Sequence, residues 1–306
     1  MSVVLFEKIL SLFLIMMAGY VIVKLGFLKP EDSKCLSTLA LYIVVPCTIV
    51  TAFQVECTTE TQLGLLLAVG AAFVVQMGLV GANALLRKPL GLNPVEQASV
   101  VYSNSGNLII PIVSLLLGSD WVVYTCAYIF VQRVLIWSHG RRLLSTGEKP
   151  GIKQILTNIN MVATYIGIVV FFLEIEFPFP LQSAMDSIAA MVGPVSMLIT
   201  GMLIGGMKVK EILSYKRVWL VALLRLIALP GLALLLFKFS GIAELHPQGE
   251  YILLITLLAT GAPSASNVVQ MVQVYGGDAK YAGTISVITT MLCIITLPLM
   301  VAIYML

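Results

Sequence analysis

The stretch Tyr102-Ser103-Asn104-Ser105-Gly106-Asn107-Leu108-Ile109-Ile110-Pro111 constrains this chain more than any other. It sits inside an apolar segment, residues 95–117, long enough to cross a bilayer. The middle of that segment, where hydrocarbon belongs, carries two Asn, two Ser, a Gly and a Pro. Pro111 has no N–H, so the Asn107 carbonyl is expected to lose its helical partner, and Gly106 loosens the same turn. Backbone groups freed inside lipid must pair with protein or line a wet cavity. A broken helix at that depth therefore reads as a binding site. The competing reading is a Pro-kinked helix whose Asn and Ser side chains tie neighbouring helices together.

A second stretch repeats the pattern. Thr260-Gly261-Ala262-Pro263-Ser264-Ala265-Ser266-Asn267 is central to the apolar segment 251–274, and Pro111 and Pro263 stand 152 residues apart in a chain of 306. Two broken segments at half-length spacing mark an internal repeat of the kind transporters use.

Charged residues are 11% of the chain and hydrophobic ones 59%. A soluble domain carries roughly 25% charged residues, so the chain belongs in a membrane. The expected fold is an all-α polytopic membrane protein of ten spans. These run over about 3–25, 34–53, 61–86, 95–117, 121–138, 158–175, 182–207, 218–239, 251–274 and 281–304. Five spans per half force the second half to insert upside down, which gives a 5+5 inverted repeat. Residues 1–140 form the first repeat, 141–157 a cytoplasmic loop and 158–306 the second. Pro46 in span two then matches Pro194 in span seven, and the broken spans four and nine cross at the midplane. Lys and Arg collect in the odd-numbered loops: Lys24, Lys29 and Lys34, then Arg87 and Lys88, then Arg141, Arg142, Lys149 and Lys153, then Lys208, Lys210, Lys216 and Arg217, then Lys280. Glu56, Glu60, Asp120, Glu174, Glu176 and Glu250 lie on the other side. The positive-inside rule puts the odd loops in the cytoplasm and both termini outside the cell membrane.

The half-helix N-termini set the sign of a ligand. Each carries unpaired N–H groups and about half a positive charge. Those expected near residues 109–111 and at Pro263–Ser264 suit an anion, and a small carboxylate is the natural guest. The candidate binding residues are Ser103, Asn104, Ser105, Asn107 and Pro111 from span four and Pro263, Ser264, Ser266 and Asn267 from span nine. Their amides and hydroxyls donate hydrogen bonds. No Asp or Glu lies deep in a span; Glu96 is near the cytoplasmic mouth of span four. Arg225 is the one deep cation. It either attracts the anion and gates its exit, or snorkels to the cytoplasmic interface. Gly201 and Gly205 form a GxxxG in span seven, fit for close packing or a dimer face, and Gly19, Gly70, Gly78 and Gly81 suit close helix approach.

Several classes are excluded. The basic residues sit in short scattered loops, which leaves no groove for nucleic acid. Cys35, Cys47, Cys57, Cys126 and Cys293 form no CxxC pair, and His139 and His246 are isolated, so neither a metal nor another cofactor is expected. Paired intramembrane Asp, GxSG with His, and HExxH are absent, which argues against an intramembrane hydrolase. A carrier and a non-transporting sensor that binds a lipid or small ligand remain.

Gly26-Phe27-Leu28-Lys29-Pro30-Glu31-Asp32, Val45-Pro46, Ser103-Asn104-Ser105-Gly106-Asn107 with Pro111, Ala262-Pro263-Ser264-Ala265-Ser266-Asn267, Tyr275-Gly276-Gly277-Asp278 and Leu297-Pro298 follow one another in an order that resembles the auxin efflux carrier family. The likeness covers nearly the whole chain and fits a compact prokaryotic-type member with a short fifth loop. It implies crossovers in spans four and nine. The implied cargo is an organic anion such as auxin, malate or malonate. An elevator-like motion and a homodimer in the lipid bilayer are implied as well. The resemblance puts the binding site at Asn104, Asn107, Pro111, Pro263 and Asn267. Relatives with a sodium site carry acidic or amide ligands near the crossover, and this chain lacks the acidic ones.

Overall fold

The computed structural model describes residues 2–144, 157, 159–206, 215–275 and 277–306. Most of the loop assigned to 141–157, together with Lys208, Lys210 and Gly276, lies outside them. Among the described residues every regular element is helical, and the one β-type contact is an isolated bridge. An apolar chain in lipid is driven to this, because a helix pairs its backbone groups within its own segment. In chain order the helices are α1 (Ser2–Lys24), α2 (Pro30–Ala52), α3 (Thr59–Leu86), α4 (Pro94–Val101), α5 (Ile110–Leu116), α6 (Ser119–Leu144), α7 (Ile159–Leu173), α8 (Phe179–Gly205), α9 (Lys216–Phe239), α10 (Gly249–Gly261), α11 (Ser266–Tyr275) and α12 (Ala279–Met305). Of these, α2, α3, α6, α8, α9 and α12 are each long and apolar enough to cross a membrane, whereas α7 and α10 are shorter apolar helices.

Three prolines share one device. Pro46, Pro111 and Pro230 each stand second after a π turn, formed by Ala40–Val44, Ser105–Ile109 and Leu224–Ala228. A proline ring in a regular helix collides with the carbonyl four residues back. Here those carbonyls belong to Tyr42, Asn107 and Leu226, and each lies inside the widened turn. The wider turn relieves the collision and lets the helix continue. Pro111 is thus absorbed rather than disruptive, and the break in this segment lies earlier than its position suggests. A turn at Ala190 and Met191 divides α8, and Pro194 sits in the first turn of its second part, Val192–Gly205, where the missing N–H has no intrahelical partner to lose.

The helices pack in two groups. Helix α8 lies along α1 and also meets α2, which packs on α7. In the second group α3 packs on α6 and α10, α9 on α10 and α12, and α4 on α9 and α12. Helix α8 also touches the segment 105–116, which joins the groups. The GxxxG of α8 is consumed within the chain. A side chain at Gly201 would strike the Met16 backbone, one at Gly205 would crowd Val23 and Tyr20, and one at Gly19 would strike the Leu198 backbone. These glycines serve helix packing and not a dimer face. Gly70, Gly78 and Gly81 face open space, contrary to the close approach expected of them.

Candidate functional site

Both segments with polar centres break, and the breaks meet. Helix α4 ends at Val101, after which Tyr102 is extended (φ −100°, ψ 127°). Helix α10 ends at Gly261, after which Ala262 is extended (φ −63°, ψ 154°). The Asn104 N–H donates to the Pro263 carbonyl at 2.8 Å, and the Ala265 N–H donates to the Tyr102 carbonyl at 3.0 Å. This antiparallel bridge pairs Ser103 with Ser264. The two prolines do not correspond across it, since Pro263 belongs to its break and Pro111 lies eight residues past Ser103. The helical turns resume at Ser105 and Ser266, each two residues beyond the bridge. The first of these starts is earlier than residues 109–111, where the proline alone would put it.

Arg225 closes the opposite ends. It has no solvent exposure and does not snorkel. Its Nη1 donates to the Val100 and Val101 carbonyls at 3.0 and 3.4 Å, the last two of α4. Its Nη2 donates to the Thr260 carbonyl at 2.6 Å and its Nε to the Ala262 carbonyl at 2.9 Å, at the end of α10. Each half-helix C-terminus presents about half a negative charge, so one guanidinium balances two ends. An unmade hydrogen bond at a buried carbonyl costs roughly 1–3 kcal/mol, and four such carbonyls depend on this one side chain. The sequence exposed Arg225 as a deep cation but not its partners, because those partners are backbone atoms.

The bridge is held from behind by residues the sequence reading did not single out. Gln132 of α6 accepts from the Ser103 hydroxyl at 2.6 Å and from the Ser103 N–H at 3.2 Å. It donates to the Ser103 carbonyl at 2.7 Å and to the Ser105 hydroxyl at 3.3 Å. Fully buried Gln76 of α3 donates to Gln132 at 3.4 Å. On the other side the Thr289 hydroxyl accepts from the Ser264 N–H at 3.1 Å, and the Ser286 hydroxyl donates to the Ser264 carbonyl at 3.5 Å. Glutamines at the heart of apolar spans were the legible signal for Gln76 and Gln132; for Thr289 there was none.

These contacts sort the nine candidates. Ser103 and Ser105 are buried and engaged by Gln132. Pro111 and Pro263 are buried. The Ser264 hydroxyl is buried without a partner. Asn104, Ser266 and Asn267 are half-buried, and among the described residues their side chains make no hydrogen bond. The side chain of Asn107 lies outside what the structure describes. Free amides and a free hydroxyl thus stand at the two helix starts, while the helix ends are neutralised by Arg225.

Two acidic regions lie elsewhere. Glu96 is fully buried at the start of α4 and is gripped by Arg217 Nε and Nη2 at 2.6 and 2.7 Å, by the Tyr281 hydroxyl at 2.7 Å and by the Asn93 N–H at 2.9 Å. That cluster ties α4 to α9 and α12. A cavity of about 440 Å³ opens among Gln54, Glu56, Asp120, Trp121, Tyr124 and Gln248, away from the bridge. Its two exposed carboxylates disfavour an anion.

Apolar helices of spanning length and a pair of interrupted helices joined at their breaks define a multi-pass membrane protein built around a crossover. The chain belongs to the membrane transport protein family, whose model matches residues 4–301, the same family as the auxin efflux carriers. No curated protein matches it.

Proposed function

We propose that the chain is a secondary or facilitative carrier of a small organic anion, a carboxylate such as an auxin-like monocarboxylate, malate or malonate, held at the crossover. The observation that carries this is the polarity of the site. The helix starts at Ser105 and Ser266 keep unpaired Asn104, Ser266 and Asn267 beside them, while the negative helix ends are already neutralised by Arg225. Backbone N–H groups at a helix start and amide donors favour an anion. Ser264 and Asn107 complete the proposed pocket, and Ser103, Ser105, Pro111 and Pro263 shape it.

The ten-span 5+5 inverted repeat, with residues 1–140 and 158–306 as its halves, is the architecture we assign to this carrier. Packing that exchanges between the halves supports it. The contact of α1 with α8 has its counterpart in α7 with α2, that of α3 with α6 in α9 with α12, and that of α6 with α10 in α12 with α4. Supporting an elevator-like alternation is the division into two packed groups, α1, α2, α7 and α8 against the rest. We place the chain in the cell membrane as a homodimer with both termini outside. Cysteines introduced at Glu56 and Arg141 should then label from opposite faces, and labelling from one face overturns that orientation.

Asn104→Ala and Asn267→Ala should each weaken carboxylate binding about ten- to hundredfold, since a hydrogen bond to a charged group contributes roughly 1.5–3 kcal/mol. Thermal stability should stay close to that of the parent protein, because neither amide holds another helix. Asn→Asp should be worse at both positions, as a fixed negative charge competes for the same N–H groups. Binding to a panel of carboxylates, uptake into liposomes and thermal unfolding on the same preparations decide it. Unchanged affinity in both alanine variants removes the anion from this position.

A further inference from the structure

We propose that Arg225 is a built-in counter-ion, standing where a mobile metal cation would otherwise bind, so that the crossover is assembled without monovalent metal ions. In carriers built on interrupted helices, the C-terminal ends and unwound carbonyls are the groups that coordinate Na⁺ or H⁺. Here the corresponding carbonyls, Val100, Val101, Thr260 and Ala262, all point at one guanidinium. The two helix ends carry about one negative charge between them, and the Arg225 guanidinium supplies one positive charge. The group has five N–H donors, and four of them go to these carbonyls. Its burial is complete, so no water competes for these oxygens.

The position of Arg225 is also prepared by the backbone. It lies inside the π turn Leu224–Ala228 that precedes Pro230. It therefore sits on a helix separate from both ends it joins. A cation that arrived and left with each cycle would assemble and release the crossover; a tethered one keeps it assembled throughout. The consequence, that anion movement is not driven by a sodium gradient, rests on the carrier reading above. The counter-ion role itself does not, and it is tested without any anion.

The experiment is thermal unfolding of the purified full chain in detergent, at constant ionic strength, in sodium, potassium, lithium or choline chloride. The parent protein should unfold at the same temperature in all four. Arg225→Ala should unfold about 10 °C lower or more, from four carbonyls left unpaired. Millimolar methylguanidinium, or a small metal cation in preference to choline, should recover part of that loss in a saturable way. Arg225→Lys, which keeps the charge but has fewer donors in another geometry, should fall between the two and show no preference among the salts. A saturable stabilisation of the parent protein by sodium over choline overturns the proposal, as does an Arg225→Met variant as stable as the parent. If Arg225→Ala does not fold, the parent and Arg225→Lys series still decide. A protein insensitive to these cations but unable to bind carboxylates would refute the carrier reading and leave the counter-ion intact.

Discussion

The two breaks at the crossover pair with each other through one antiparallel bridge and have unequal support. The break at Ser103 is gripped by one glutamine that meets its N–H, its carbonyl and its hydroxyl, with a second glutamine behind it. The break at Ser264 has a single hydroxyl on its N–H, a long contact on its carbonyl and an unpaired hydroxyl of its own. Although the Gln76 amide oxygen is itself unpaired, every polar group of Ser103 is paired, and a break whose own groups are paired is stiffer than one with a group left over. The first break is therefore the fixed jaw of the crossover and the second the yielding one, with the Ser264 hydroxyl still to be paired.

Substitutions break or sharpen that contrast. Gln132→Leu should have the largest effect, because it strands the Ser103 N–H and carbonyl in apolar surroundings. At roughly 1–3 kcal/mol for each unpaired group, thermal unfolding should drop by about 5–15 °C. Thr289→Val removes one partner of one N–H and should cost about 1–2 kcal/mol. Equal losses in the two variants, measured side by side, would dissolve the asymmetry. Ser264→Ala should be the mildest: its hydroxyl bonds to nothing, so stability should hold within about 0.5 kcal/mol or rise slightly. If the same variant loses carboxylate affinity while keeping its unfolding temperature, the softer jaw is the one that touches the ligand.

Much of this was legible in the residues. Membrane character followed from the scarcity of charge, and the two breaks from Gly, Pro, Ser and Asn in the middle of apolar runs. What misled was the proline. Pro111 and Pro263 look equivalent in sequence, yet one follows a widened turn and the other belongs to its break, because a π turn is invisible in composition. Arg225 was visible as an anomaly, but its task depends on carbonyls that every residue possesses. Gln132 was visible as a polar residue in an apolar span, and only the fold says that its partner is the backbone of Ser103.

A widened turn has a geometric consequence beyond making room for a ring. It accommodates one residue more than a regular turn, and each residue of a helix advances the azimuth by about 100°. Everything on one side of Ala40–Val44 or Leu224–Ala228, turns with helix on both sides, is therefore rotated relative to a straight helix of the same sequence. The prolines at 46 and 230 act as phase setters for two helices. Replacing one with alanine frees the turn to anneal, and annealing swings a whole face about the axis, in α9 changing the aim of Arg225 relative to the half of its helix that follows.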